Sequence, residues 1–509
     1  MTYRIGREKH MEWAVAALLL ALGAVLRLVA LGTLPYGLNQ DEASAGYEAF
    51  ALLRAGMDRN GNPWPLLFVS WGSGQNVLMS YLAIPFVALL GLSPWSIRLP
   101  CAICGCLTLP VFWRLARRCG GRGFGLLALG LLAINPWHIM MSRWGLESNL
   151  LPFFLLLGVW LTALARERPW ALVGAAAAFG LMLYAYGTAF FFLPMFLIGA
   201  LLLLRRRLRP GSFLTALVVF LLLALPIAAC QLINVLGLET QSVLGLTLPR
   251  LTESRQAATS VLGGGGLPAA LENFRGFLHI LWQGTDGLRY NALPIWQGGI
   301  FYFFGLPTAV IGFVGSLLNR KDRREEGPMR LALVCALLCA FLIRCNINRI
   351  NMVWLPLIYF SALGCHMLLK PLRAWAALPL AGVLACFLLF LNAYGMQFGG
   401  EGNVGYFPGL GEALTAAAEV AEDGTVYVTD WVNQPYMFAL FYGETPPEVF
   451  VESVEYVNAN APFRQVKRFQ GYEFQDPARA EVQVLHRSEA GGKEVLAWYG
   501  HFAVCRGSI

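Results

Sequence analysis

Apolar runs recur along most of the chain, each roughly 16–22 residues long and set apart by short polar stretches. The first, at 11–34, is too long for the core of a signal peptide. It also lacks a small-residue cleavage site, so it reads as a retained membrane helix. Further helices are predicted at about 96–115, 123–139, 150–165, 170–187, 189–204, 212–230, 299–318, 331–345, 352–369 and 375–395. The run at 77–92 is short and broken by Pro85, and reads as a juxtamembrane or re-entrant segment. After Gly399 the pattern changes. "TVYVTD", "EVFVES" and "AEVQVLHR" read as short strands and "PYMFALFYG" as a helix. The expectation is an all-α polytopic membrane bundle of about eleven transmembrane helices at 1–398, with outer segments at 34–95 and 231–298. A small C-terminal extracytoplasmic α/β domain would follow at 399–509.

Composition agrees with this reading. Of 509 residues, 57% are hydrophobic and 13% charged, against about a quarter charged in a soluble domain. The net charge of +8 lies in short clusters between apolar runs, among them "RLARRCGGR", "RER", "RRRLR", "NRKDRR" and "KPLR". That is the pattern that orients membrane helices, not one that binds nucleic acid. With Arg4, Arg7 and Lys9 at the start, the N-terminus is placed in the cytoplasm and the C-terminal domain outside the plasma membrane. Of eleven cysteines, only Cys505 lies in the polar C-terminal region, so no disulfide forms within that region. "CAICGC" at 101–106 resembles a metal spacing, but it sits in a membrane run with no fourth ligand and reads as small-residue helix packing. "VLGGGGLPAA" at 261–270 reads as a flexible outer loop; it has no following Lys-Ser/Thr and makes no phosphate loop.

Topology turns scattered polar residues into a set on the outer face. It comprises the pair Asp41 and Glu42; Gln75 in "WGSGQN"; Arg98; and His138, Arg143 and Glu147 in "NPWHIMMSRWGLESN". The loop at 283–299 adds Asp286, Arg289 and Asn291. Arg344, Asn346, Asn348, Arg349 and Asn351 come from "IRCNINRINMVW". Polar groups at a bilayer boundary are functional candidates by default. Plainer readings stand beside this one. Asn39-x-x-Glu42 has the spacing of a capping box, and its helix, running to Leu53, has apolar residues suited to lying along the membrane surface. Arg143 and Glu147 stand at i and i+4, the spacing of a helical ion pair. Arg349 suits a boundary residue reaching for headgroups, and His138 an interfacial hydrogen-bonding residue. Arg27, inside the first helix, pairs with Glu48 or with a lipid phosphate.

An acidic pair after the first helix, then "GLSPWSIRLPCAICGCLTLPVFWRLARRCGG", "NPWHIMMSRWGLESN" and "NINRINMVWLPLIYFSALG", resembles the glycosyltransferase-C superfamily in order and spacing. The likeness is to protein O-mannosyltransferases (glycosyltransferase family 39) and the lipid A aminoarabinose transferase. It spans 11–200 well and 280–370 loosely. The sequence departs from the aminoarabinose enzyme in lacking its lysine-proline before the second helix, where "WGSGQNVLMSY" stands.

The resemblance implies an inverting glycosyltransferase with a polyprenyl-phosphate-linked sugar as donor and an extracytoplasmic glycan, lipid or protein as acceptor. A carboxylate takes the proton of the attacking hydroxyl, and Asp41 is the expected base, with Glu42 and Glu147 as further acidic candidates. An arginine on the departing phosphate stabilises charge that grows in the transition state. Arg349, Arg143 and Arg98 are the candidates in that order, with Asn348, His138 and Gln75 as further substrate contacts. Some relatives place a divalent cation on the phosphate and others only basic side chains; Asp41, Glu42 and Glu147 form the oxygen set for one, though no spacing demands it. The competing class is a transporter or flippase of a lipid-linked saccharide. That class calls for midplane charges and repeated broken helices, whereas here the ionisable residues gather at one face.

Overall fold

The computed structural model describes residues 2–71, 73–253, 260–288, 293–319, 324–422, 424–459, 461 and 463–507. Of the residues raised above, Arg289 and Asn291 lie outside this set, as do residues 320–323 of the "NRKDRR" cluster.

Among the described residues, five helical stretches are long and apolar enough to cross a membrane: His10–Leu28, Pro94–Ala133, Glu147–Leu164, Pro210–Leu236 and Asn351–Phe398. Shorter apolar helices run over Leu78–Leu90, Ala171–Ala185, Ala189–Leu204, Gly305–Leu318 and Gly327–Leu342. This is a multi-pass membrane protein. The helix at Pro94–Ala133 is bent at Gly121, whose φ of 82° leaves the helical region, and there the two separately expected helices meet. Arg373 marks a similar break in the stretch that ends at Phe398. Where Gly305–Leu318 crosses Asn351–Leu369, the backbones nearly touch. A Cβ on Gly312 would lie 1.9 Å from the Phe360 carbonyl oxygen, and one on Gly364 1.9 Å from that of Thr308. Small residues let membrane helices approach this closely. Cys101 and Cys104 are buried in the bundle, with Cys101 Sγ against Met79 Sδ at 3.6 Å.

After the bundle, helix Leu410–Ala421 leads into a seven-stranded mixed sheet. Strand Val426–Val428 pairs in parallel with Val482–His486 and Tyr472–Glu473. Helix Pro435–Tyr442 follows, as the sequence suggests. "EVFVES" does not form the expected strand; Pro447–Ser453 is a helix. Pro447 at its first turn has φ preset for a helix, and burial falls on Pro447 and Phe450, a helical interval. The outer segment likewise holds more structure than expected: a hairpin at Gln241–Val243 and Leu246–Leu248, and helix Gly266–Gln283 beginning inside the glycine run.

Helix Gln40–Ala55 does not lie on a membrane surface. Its residues from Glu42 to Leu52 are all buried, because helix Leu78–Leu90 packs on one side and the C-terminal unit on the other. Its apolar side chains share one core with Leu414, Phe438, Phe441 and Val484. Gly46 admits the Phe441 ring, which a Cβ would meet at 2.6 Å, and Tyr47 Oη donates to the Thr445 carbonyl at 2.8 Å. The C-terminal unit and the first outer helix are therefore packed as one body.

Candidate active site

A cavity of about 140 Å³ opens where six separate stretches of the chain meet, and Asp41, Gln75, Glu147, Asn348 and Arg349 all line it. Asn39 sets the position of Asp41. Its Oδ1 accepts from the backbone N–H of Asp41 at 3.1 Å and of Glu42 at 3.0 Å, which starts the helix and leaves Asp41 half-buried on the cavity wall. Glu147 is buried, and its Oε2 accepts from the Asn76 backbone N–H at 2.7 Å. Asn351 Nδ2 donates to the Ser148 carbonyl at 2.9 Å, tying the 346–351 turn to the Glu147 turn. Arg349 is held within that turn by its own N–H, which donates to Asn346 Oδ1 at 2.7 Å. Ser44 Oγ donates to Gln75 Oε1 at 3.1 Å and accepts from Arg59 Nη1 at 2.7 Å, so a second row of polar groups backs the wall.

A second cavity of about 120 Å³ adjoins the first; Glu147, Tyr186 and Arg349 line both. Its other walls include Phe191, Val235 and Leu251. Val235 belongs to the Pro210–Leu236 helix, whose side chains are mostly exposed and so face lipid. A polar lobe holding Asp41 thus adjoins an apolar lobe at the lipid-facing side, with a carboxylate, a phenol and a guanidinium at the junction. Gln40 Oε1, from the first lobe, and Thr188 Oγ1, from the second, are buried and have no hydrogen-bond partner among the described residues. Buried polar atoms left this way call for a ligand or water.

The other expected residues lie elsewhere, each for a physical reason. Glu42 is fully buried. Its Oε1 accepts from Arg98 Nε and from the Gly145 N–H, both at 2.8 Å, and its Oε2 from Arg98 Nη2 at 3.0 Å. It also closes the capping box with Asn39. Arg98 spends its remaining donors on the carbonyls of Leu31, Pro35 and Gly37. The two form an internal knot, with neither on the cavity wall. Arg143 caps the end of the first helix, donating to the carbonyls of Leu26, Ala30 and Leu34 at 2.9–3.1 Å; a cation there satisfies orphan carbonyls and meets the helix dipole. It does not pair with Glu147, because the helix ends at Ser142 and the i, i+4 geometry is lost. His138 is buried, with Nδ1 accepting from Arg27 Nη2 at 2.6 Å. Arg27 also donates to Gly23, Leu132 and Ala133 carbonyls, and meets neither Glu48 nor the surface.

Glu48 instead pairs with Arg59 at 2.8 Å behind the wall. Burial pushes its carboxyl up to about 7 against the pull of Arg59, and burial likewise raises Asp58. Helix Leu78–Leu90 buttresses the wall from behind; its Ser80 donates to the Ala45 carbonyl at 2.8 Å. The stretch just before it reaches the two lobes, with Trp71 and Gln75 in the first and Leu67, Gly74 and Asn76 in the second. Sequence reasoning missed Trp71, Trp144 and Tyr186. For Tyr186 the signal was present: "AYGTA" interrupts two apolar runs at the outer boundary. The three-carboxylate cation set does not assemble, since Glu42 is committed to Arg98. No group of three or more His, Cys, Asp or Glu suited to a metal occurs among the described residues.

Residues 74–229 match the sequence profile of the dolichyl-phosphate-mannose-protein mannosyltransferase family. ArnT from Cupriavidus metallidurans, solved bound to undecaprenyl phosphate, superposes with a TM-score of 0.57 over 96% of this chain and 97% of that one, at 15% identity. The fold is ArnT-like. The Archaeoglobus fulgidus oligosaccharyltransferase tethered with an acceptor peptide gives a TM-score of 0.54 at 14% identity, over 85% of this chain and 63% of its own. No curated protein matches in sequence.

Proposed function

We propose that the chain moves one sugar from a polyprenyl-phosphate carrier to an acceptor hydroxyl on the outer side of the plasma membrane, with inversion at the anomeric carbon. The acceptor oxygen attacks that carbon as Asp41 takes its proton. The bond from the anomeric carbon to the phosphate oxygen breaks in the same step, and the phosphate leaves with the bonding pair. Arg349 lies at the junction of the lobes, where its planar donor fork meets the departing phosphate. Glu147, fixed by the Asn76 N–H, holds sugar hydroxyls at the same junction. The prenyl chain runs along the apolar lobe and the acceptor enters from the polar one. The N-terminus is cytoplasmic, and the C-terminal α/β unit stands outside, packed against the helix that carries Asp41.

One observation carries this reading: Asp41, Glu147 and Arg349, remote in the chain, line a single cavity. Further support comes from the unpartnered Gln40 and Thr188 oxygens, from the family profile and from the carrier lipid bound by the ArnT neighbour. The test is Asp41→Asn in a reconstituted transfer assay with a polyprenyl-phosphate sugar. Transfer falls by about 10²–10⁴-fold while carrier binding persists. Undiminished transfer removes Asp41 as the base, and unchanged saccharide translocation with no transfer by the wild type favours a flippase.

A further inference from the structure

A cavity of about 1200 Å³ is separate from the chamber. It lies toward the opposite end of the bundle. Helix Ala189–Leu204 starts beside the chamber at Thr188 and reaches this cavity at Gly199 to Arg205. Helix Gly327–Leu342 reaches it at Gly327 to Val334, and the chamber side at Ile343. Sixteen helical residues put the two sites about 24 Å apart along the bundle.

Its walls are unlike those of the chamber. Leu203, Phe313 and Leu331 form an apolar trough, and Leu202 (62% exposed) and Leu318 (81% exposed) open it to the lipid side. Three of the described residues that line it are charged, and all three are arginines: Arg166, Arg205 and Arg330. Part of their purpose is internal. Arg330 Nη1 donates to the Ser316 carbonyl at 2.8 Å and to its Oγ at 2.9 Å. Arg166 forms an ion pair with Glu325 at 3.8 Å. Arg205 is exposed at the end of its helix. An apolar trough capped by guanidinium groups complements a molecule with long hydrocarbon chains and an anionic phosphate. The volume exceeds the roughly 300–1,000 Å³ of pockets for drug-sized ligands, as acyl chains require.

We infer that this trough seats one anionic glycerophospholipid from the leaflet opposite the chamber, its phosphate between Arg166 and Arg205 and its chains along Phe313 and Leu331. Basic pockets between membrane helices select anionic headgroups in this way. The site is separate from the transfer chamber, and its residues take no part in the chemistry proposed above.

The full-length protein, delipidated in mild detergent, is titrated by native mass spectrometry with phosphatidylglycerol, phosphatidylcholine, a polyprenyl phosphate and inorganic phosphate. At least fivefold tighter retention of phosphatidylglycerol over the other three is expected. The double substitution Arg166→Gln with Arg205→Gln is expected to lower that retention about tenfold, and Lys at both positions to restore most of it. Matched thermal unfolding of the two double variants shows that each is folded; Arg166→Gln alone serves if the Gln pair is not. Equal retention of phosphatidylcholine overturns the inference, as does indifference to the substitutions. Preferential capture of polyprenyl phosphate, or of phosphate alone, also overturns the choice of a phospholipid. These results are independent of the Asp41→Asn assay, so failure of one does not touch the other.

Discussion

Asp41 and Glu42 are neighbours in the first turn of one helix, and they lead opposite lives. Asp41 is half-buried on the wall of a cavity that it shares with Glu147 and Arg349. Glu42 is fully buried between Arg98 and the Gly145 N–H, and there it anchors the loop after the first helix. The arginines divide in the same way. Arg349 lies at the junction of two cavities, while Arg98 and Arg143 spend their donors on backbone carbonyls. A turn of about 100° between successive helical residues separates a group on a cavity wall from one that holds the protein together.

That division is open to attack at several points. The largest effect is expected from Asp41→Asn, which lowers transfer by about 10²–10⁴-fold and shifts stability by no more than about 0.5 kcal/mol. Assay and unfolding are measured on one preparation. Glu42→Gln should do the reverse. It leaves Arg98 buried without its counter-charge, at a cost of about 3–5 kcal/mol, read as a lowered unfolding midpoint in detergent. A folded but inactive Glu42→Gln beside an unfolded Asp41→Asn would exchange the two roles. Arg349→Ala is expected to cost about 10²–10³-fold in turnover, with Lys restoring part of it and the unfolding midpoint unchanged. An equal loss in Arg143→Ala without unfolding would place a second guanidinium at the chemistry.

The smallest effect tests the row behind the wall. Glu48 has its carboxyl raised from an ordinary 4.5 to about 7. A raised folded-state value means stability that is complete below about pH 4.5 and lost as pH rises through about 7. Heat stability should therefore decline across that window, and Glu48→Gln should flatten the decline. An unchanged slope would assign the pH dependence to another group.

Much of the bundle was legible in the sequence. The helices at 151–164, 189–204 and 351–369 fall within a residue or two of the apolar runs that announce them. Hydrocarbon thickness sets their length and hydropathy records it. Polar boundary residues were legible too, but only as a set. Gln75, Glu147, Asn348 and Arg349 were named together with His138, Arg143 and Arg98, and composition alone gave no means of dividing them. Tyr186 went unnamed although "AYGTA" interrupts two apolar runs, and only the fold puts it with Arg349 on the walls of both cavities. "EVFVES" misled because its alternation fits a strand, and Pro447 together with the burial of Phe450 settled the helix.

The sequence by itself determined that this protein lies in a membrane, roughly where its helices run, and that carboxylates and guanidinium groups gather in the polar stretches between those helices. Those properties follow from local runs of residue type, which need no knowledge of distant partners. Only the tertiary structure decided which charges face a cavity and which are spent on helix ends. A side chain's use depends on the groups brought against it, and those come from stretches more than a hundred residues away, as Gly145 does for Glu42 and Leu34 for Arg143.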